Sequence, residues 1–339
     1  MAPFFPKVTR SGIALRPFEY HRASTVGDAV GHLANPNSLP LGGGTDLLVF
    51  IREGLAAPDE LVDLRGLPGS GSISEHEGGL RLGASVRIQD IARSDLVGKL
   101  FPMLARSCAS VGTVALRHMG TLAGNLCQRP RCWYFRRDIP CLKNGGDRCP
   151  AKEGENQYHA ILGGGPCYIV HPSDPAVALT ALDAEVEIAG PSGIRSVAIG
   201  EFYTLPSARL DRETVLETGE IVIAIRVPGR GARGWQRYDK LMQRGSWDFA
   251  LVSLAAARRV DGDVRLVLGG VAPKPWRVTQ SIEEDAASGL LDLDDAATLA
   301  DRALYDCSPL AGNRYKVTLA ATLLRRAISA MLSAEAGDA

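Results

Sequence analysis

The run Leu41-Gly42-Gly43-Gly44-Thr45-Asp46-Leu47 decides how the first part of the chain is read. Leu39 to Leu41 precede it as an extended segment, and Leu47 to Ile51 follow at helical spacing, so the pattern is strand, glycine turn, helix. Three adjacent glycines lose more backbone entropy than a bare turn requires. Their unhindered N–H groups, with the Thr45 hydroxyl, form a nest for a phosphate or pyrophosphate. A tight turn that binds nothing would read the same way. Neither GxGxxG nor GxxxxGK[ST] is present, which removes the nicotinamide and P-loop signatures. A second turn, Gly120-Thr121-Leu122-Ala123-Gly124-Asn125, offers the same chemistry from another element. Together the two predict an extended diphosphate gripped from both sides. Asp174 is then available to ribose hydroxyls, although a Pro-Ser-Asp turn cap would look identical.

Working outward, a helix is expected from its cap Thr25 through Leu33, strands over 61–64 and 80–82, and helices over 87–93 and 96–111. A short helix over 176–182 leads to a hairpin of 185–189 and 194–199. Segments 221–227, 250–259 and 264–270 read as one antiparallel set, and 282–339 as helical. The expected division is a loose extension 1–14, a first subdomain 15–66, a second subdomain 67–215 with an insert loop 127–170, and a C-terminal domain 216–339. A chain of 339 residues has room for this. Zero formal net charge argues against a broad nucleic-acid surface. No apolar run reaches the length of a membrane span, and the N-terminal stretch lacks both a secretory apolar region and a twin arginine. An odd count of seven cysteines fits a reducing, cytoplasmic setting better than paired disulfides.

Four of those cysteines, Cys132, Cys141, Cys149 and Cys167, fall in one Gly- and Pro-rich stretch without CxxC, and three of them neighbour a proline. Such loops turn thiolates inward and free backbone N–H groups for sulfur. From Cys127 to Cys167 seven Lys and Arg face four Asp and Glu, an excess expected to offset an anionic centre. Trp133, Tyr134 and Phe135 are expected to wall it from water. On residues alone an iron–sulfur cluster and a four-thiolate zinc site stand level. Cys127 reads as a buried thiol, and Cys108 and Cys307 as helical core positions. His118 and His159 read as satisfied core or surface histidines. Lys240, Arg244 and Asp248 after Tyr238 read as helical pairs on a solvated face, or as groups reaching a flavin or a partner. No Ser-His-Asp or paired-carboxylate set appears, so no catalytic group is assigned. The chain reads as a relay.

Pro17-Phe18-Glu19-Tyr20, the two glycine turns with their flanking leucines, Ser173-Asp174, Tyr238-Asp239-Lys240 and Arg244 with Asp248-Phe249-Ala250 together resemble the FAD-binding medium subunit of the molybdenum hydroxylases, the xanthine dehydrogenase and aldehyde oxidoreductase family. The run Arg131 to Arg136, Cys141, Cys149, Cys167 and His171-Pro172-Ser173-Asp174 is similar to the subset with an additional [4Fe–4S] cluster, such as bacterial periplasmic aldehyde oxidoreductases. The resemblance implies an α+β fold: a two-part FAD-binding domain of the vanillyl-alcohol-oxidase (PCMH) type, then a C-terminal domain of a small antiparallel sheet with helices. It implies FAD at Leu41, Gly42, Gly43, Gly44, Thr45, Asp46 and Leu47, with Gly120, Thr121, Gly124 and Asn125 holding the pyrophosphate from the second turn. Asp174 would take the adenosine ribose, Lys240 would also reach the cofactor, and Cys132, Cys141, Cys149 and Cys167 would ligate the cluster.

It further implies a molybdopterin-containing large subunit, a [2Fe–2S] small subunit and an external electron acceptor. An aldehyde or N-heterocycle would be oxidised on the large subunit, with electrons passing to FAD here. The alternatives are a medium subunit like that of 4-hydroxybenzoyl-CoA reductase, a stand-alone flavin oxidase, and a zinc-braced non-catalytic binding subunit. The oxidase would need its own base and a covalent flavin link near the first turn, and neither is visible. Some relatives travel folded on a partner's twin-arginine signal, which makes the periplasm the alternative location.

Overall fold

A computed structural model of the chain describes residues 16–137, 139–288 and 293–338. The extension expected over 1–14 lies outside the described residues, as does Asp138, one of the four loop acids. The fold is α+β, built among the described residues on three sheets. The first is parallel, with Glu60–Asp63 between Glu19–Arg22 and Ser38–Leu41. Leu61 and Val62 of its middle strand are buried in different cores, so both faces are covered. Thr25 caps the crossover helix Val26–Leu33 by accepting from the Asp28 N–H.

The second sheet is antiparallel, in the order Ile73–His76, Gly79–Gly83, Ile221–Val227, Glu185–Gly190, Gly193–Ala198. Ile221–Val227, expected with the C-terminal strands, is its centre and pairs with Gly79–Gly83 and Glu185–Gly190. An apolar run specifies a buried strand, not the sheet that receives it. The helix expected over 96–111 is two helices, Asp95–Leu100 and Pro102–Ala109, broken at Phe101. Pro102 lacks the N–H that a continuous helix needs there, and it takes the first-turn position of the second helix instead.

The third sheet runs Trp276–Arg277, Val264–Gly269, Val252–Arg259, Gly234–Leu241. Along its long strand, Ala255 and Ala257 join the core of the second sheet, while Val252, Leu254 and Ala256 join the core under the C-terminal helices. Period-2 alternation thus distributes one strand between two cores. The helix Asp174–Ala181 lies against the small-residue face and is buried at every position. Cys108 is fully buried on Pro102–Ala109. Cys307, expected on a helix, lies beyond the end of Leu293–Ala303 and is half-buried. No helix among the described residues is long and apolar enough to cross a membrane.

Candidate functional site

The strand Ser38–Leu41 ends in the glycine turn, and the helix Leu47–Arg52 starts directly after it. Gly44 takes a left-handed φ of 73°, which a side chain would resist. The second turn packs against the first: a Cβ on Gly42 would sit 2.6 Å from Thr121 Oγ1, and one on Gly43 would collide with the Met119 carbonyl oxygen. Leu41 is buried beneath the turn, and Leu47 packs on the same core.

The two turns are not equivalent. Among the described residues, the N–H groups of Gly43, Gly44, Thr45 and Asp46 have no protein acceptor. In the second turn Gly120, Leu122, Ala123 and Asn125 donate to the carbonyls of Leu116, Val86, Ala84 and Thr121, and Gly124 donates to Thr121 Oγ1. The expectation that both turns present backbone nests is therefore corrected. What the second turn retains is the Thr121 hydroxyl proton and the Asn125 amide, whose Oδ1 accepts from Ser173 Oγ at 2.6 Å. A cleft of about 230 Å³ runs between the turns.

Asp46, expected at the dinucleotide, is taken up by the cysteine loop. Its carboxylate accepts from Arg131 and Arg136, each at 2.8 Å, and from the Arg129 N–H at 2.8 Å. Asp174 and Lys240 are also committed to each other. Lys240 Nζ lies 2.8 Å from Asp174 Oδ2, and the Tyr238 hydroxyl donates to Oδ1 at 2.7 Å. Burial raises the Asp174 carboxyl pKa, and Lys240 and Tyr238 oppose that. Of the row expected over Lys240, Arg244 and Asp248, Lys240 lies instead on an inward-facing strand, Gly234–Leu241, while Arg244 and Asp248 pair at 3.8 Å.

Asp174, Ser173 and His171 line a second cavity of about 420 Å³, together with Cys132 and Phe249. Burial pushes His171 down to about 3, and neither of its ring nitrogens has a protein partner. A neutral, buried imidazole on a cavity wall offers its ring nitrogens to a polar ligand or to ordered water. The Asn125–Ser173 hydrogen bond joins this cavity to the cleft between the turns, so an extended dinucleotide with a polar ring system fits the pair.

The four loop thiols meet one another. Tyr134 and Phe135 direct their N–H groups at Cys132, Lys143 and Asn144 at Cys141, Tyr168, Ala151 and Lys152 at Cys149, and Ile169 at Cys167. Burial pushes Cys132 up to about 11, and the hydrogen bond from Cys167 brings Cys149 down. A zinc tetrathiolate, with bonds of about 2.3 Å, needs its sulfurs about 3.8 Å apart. Among the described residues no three of these thiols lie within 4.8 Å of one another. The N–H groups on sulfur suit metal-bound thiolates.

Four of the loop's seven cations pair with carboxylates outside the loop. Arg131 and Arg136 pair with Asp46, while Arg129 and Lys143 pair with Glu213 at 2.6 and 2.8 Å. Only Lys143 also favours the charged form of Cys141 and Cys167. Phe135 packs on Phe50, and Trp133 packs edge-on to Tyr158 and His159, forming the expected wall. His118 is exposed. His159 is buried, its Nε2 3.2 Å from the Cys132 sulfur and its Nδ1 unpartnered, so it is not the satisfied histidine expected. No local pattern marks it. The one His/Asp trio of metal-ligand spacing among the described residues, His21, Asp28 and His32, has rings stacked 3.7 Å apart and 13° from parallel. Parallel rings share no point where one ion lies in both planes, so the trio reads as a hydrogen-bonded pair braced by Asp28 and Glu60.

Residues 16–230 match the family described as the FAD binding domain in molybdopterin dehydrogenase, and residues 237–331 match the CO dehydrogenase flavoprotein C-terminal domain. The chain is 37% identical to the aldehyde oxidoreductase FAD-binding subunit PaoB of Escherichia coli strain K12, over 90% of this chain and 95% of that one. It is 27% identical to the carbon monoxide dehydrogenase medium chain of Hydrogenophaga pseudoflava, over 92% of this chain and 96% of that one. Among solved structures, quinoline 2-oxidoreductase from Pseudomonas putida 86 shares the fold, with a TM-score of 0.72 at 24% identity, covering 95% of this chain and 99% of that one.

Proposed function

The chain belongs to the FAD-binding subunits of the molybdenum hydroxylases, and on that footing we propose that it carries FAD and a [4Fe–4S] cluster and relays electrons to an external acceptor. The electrons come from a molybdopterin-containing large subunit through a [2Fe–2S] small subunit. An aldehyde is the substrate class favoured by the 37% identical relative. The observation that carries the reading is the junction at Asp46. The carboxylate ending the phosphate turn is ion-paired to Arg131 and Arg136, which flank Cys132, so flavin and thiol sites form one unit.

FAD and the cluster supply the redox chemistry, exchanging paired and single electrons. The chain binds, orients and dries them. The N–H groups of Gly43 to Asp46 take the diphosphate, and Thr121 and Asn125 donate to it from the facing turn. His171, and the Asp174–Lys240 pair behind it, meet the polar edge of the cofactor. Trp133, Phe135 and Tyr158 keep water from the thiols.

Anaerobic purification with flavin and metal analysis tests the proposal. About four irons per chain beyond those of the partners are expected, with one FAD. Cys141→Ser is expected to lose the broad absorption near about 400 nm while keeping FAD. Zinc without flavin, or unchanged iron in the variant, overturns it.

A further inference from the structure

We propose that His159 is a positioning residue for the thiol-bound centre: its Nε2–H donates to the Cys132 sulfur and raises the potential at which that centre accepts an electron. The inference rests on the reading of the four thiols as iron ligands and adds a residue outside that set. His159 is 3% exposed and its Nε2 lies 3.2 Å from Cys132 Sγ. Trp133, with ring centroids 5.7 Å apart at 78°, and Tyr134, at 6.1 Å, fix the imidazole plane. A metal-bound thiolate accepts hydrogen bonds and has none to give, so the short contact places the ring proton on Nε2. The proton-free nitrogen is then Nδ1, the buried atom without a partner. An unpaired buried acceptor is more readily tolerated than an unpaired N–H, which favours this tautomer.

The backbone of His159 is clamped from the far side. Asn313 Nδ2 donates to the carbonyls of His159 and Ala160 at 3.1 and 3.2 Å. Lys316 Nζ donates to the carbonyls of Tyr158, His159 and Gly270 at 2.9, 3.2 and 2.8 Å. Both side chains are at most 1% exposed. The start of the C-terminal helix Tyr315–Asp338 therefore holds the imidazole against the sulfur. A donor at the sulfur stabilises the more negative, reduced state. One electron is gained, no covalent bond changes, and the proton stays on nitrogen.

The test is an EPR-monitored redox titration of the assembled complex with wild-type chain, His159→Leu and His159→Gln. His159→Leu is expected to move the cluster midpoint to lower potential with the flavin midpoint unmoved, and His159→Gln, which keeps an N–H, to recover most of the shift. In wild-type protein labelled with ¹⁵N-histidine, pulsed EPR of the reduced cluster is expected to show a nitrogen coupling. This second measurement decides the matter even where a variant loses iron. A cluster present with an unmoved midpoint, or without the coupling, overturns the inference alone. A complex without the extra iron overturns the proposed function with it.

Discussion

At residues 42–46 the groups facing the cleft are the backbone's own N–H donors, placed by the strand and helix on either side. Along residues 127–170 the backbone folds onto the thiols, and the restraints come from side chains elsewhere: Asp46, Glu213, Asn313 and Lys316. The difference teaches where each site is vulnerable. A backbone site is lost by adding bulk, whereas a loop pinned by ion pairs is lost by removing charge. Breaking one side of a buried pair typically costs about 3–5 kcal/mol, and Arg136 and Asp46 are mostly shielded from solvent.

The largest effect is expected from Gly43→Ala. Its Cβ collides with the Met119 carbonyl and pushes the turns apart. Flavin content measured by acid extraction is expected to fall at least about tenfold, a loss of about 1.4 kcal/mol or more in binding, with iron unchanged. Parallel loss of iron would break the distinction between the sites. A smaller effect is expected from Asp46→Asn, which keeps the shape and leaves Arg131 and Arg136 without their carboxylate. Iron release to a chelator should quicken about fivefold, corresponding to about 1 kcal/mol, while the flavin is retained. Equal loss of both would make Asp46 a flavin ligand after all.

The smallest effect concerns Asp63, paired in register with Leu41 at the foot of the turn. Burial pushes its carboxyl up, but hydrogen bonds from Arg65 and Tyr20 outweigh this and hold it at about 2, below the ordinary 3.8. A carboxyl pKa depressed in the folded state stabilises fully above the unfolded value, and that contribution is lost as pH falls from about 4 towards 2. Urea midpoints across that range should flatten in Asp63→Asn, with no change in iron binding at neutral pH.

The same contrast explains what the sequence disclosed. The turn, its strand, its helix and the cap at Thr25 are local, and spacing plus residue type placed them within a residue or two. Pro102 was equally local, yet the apolar spacing on both sides masked the break. The destination of Ile221–Val227, the Asp174–Lys240 pair and the capture of Asp46 by Arg131 and Arg136 each depend on partners distant along the chain. Spacing carries no trace of such partners. His159 and Lys316 are the extreme case, a lone histidine and a lone lysine whose significance appears only once the C-terminal helix meets the loop.

The helix Asp174–Ala181 has a mechanical consequence. It touches Pro102–Ala109 on one side and the strands Val252–Arg259 and Val264–Gly269 on the other, with Val177 seated where only Gly269 leaves room. It acts as a rivet through both lobes, since parting them like a clamshell would flood a shared apolar core with water. Parting the lobes to admit or release a dinucleotide would therefore expose that core, whereas local loosening around the cleft would leave it packed.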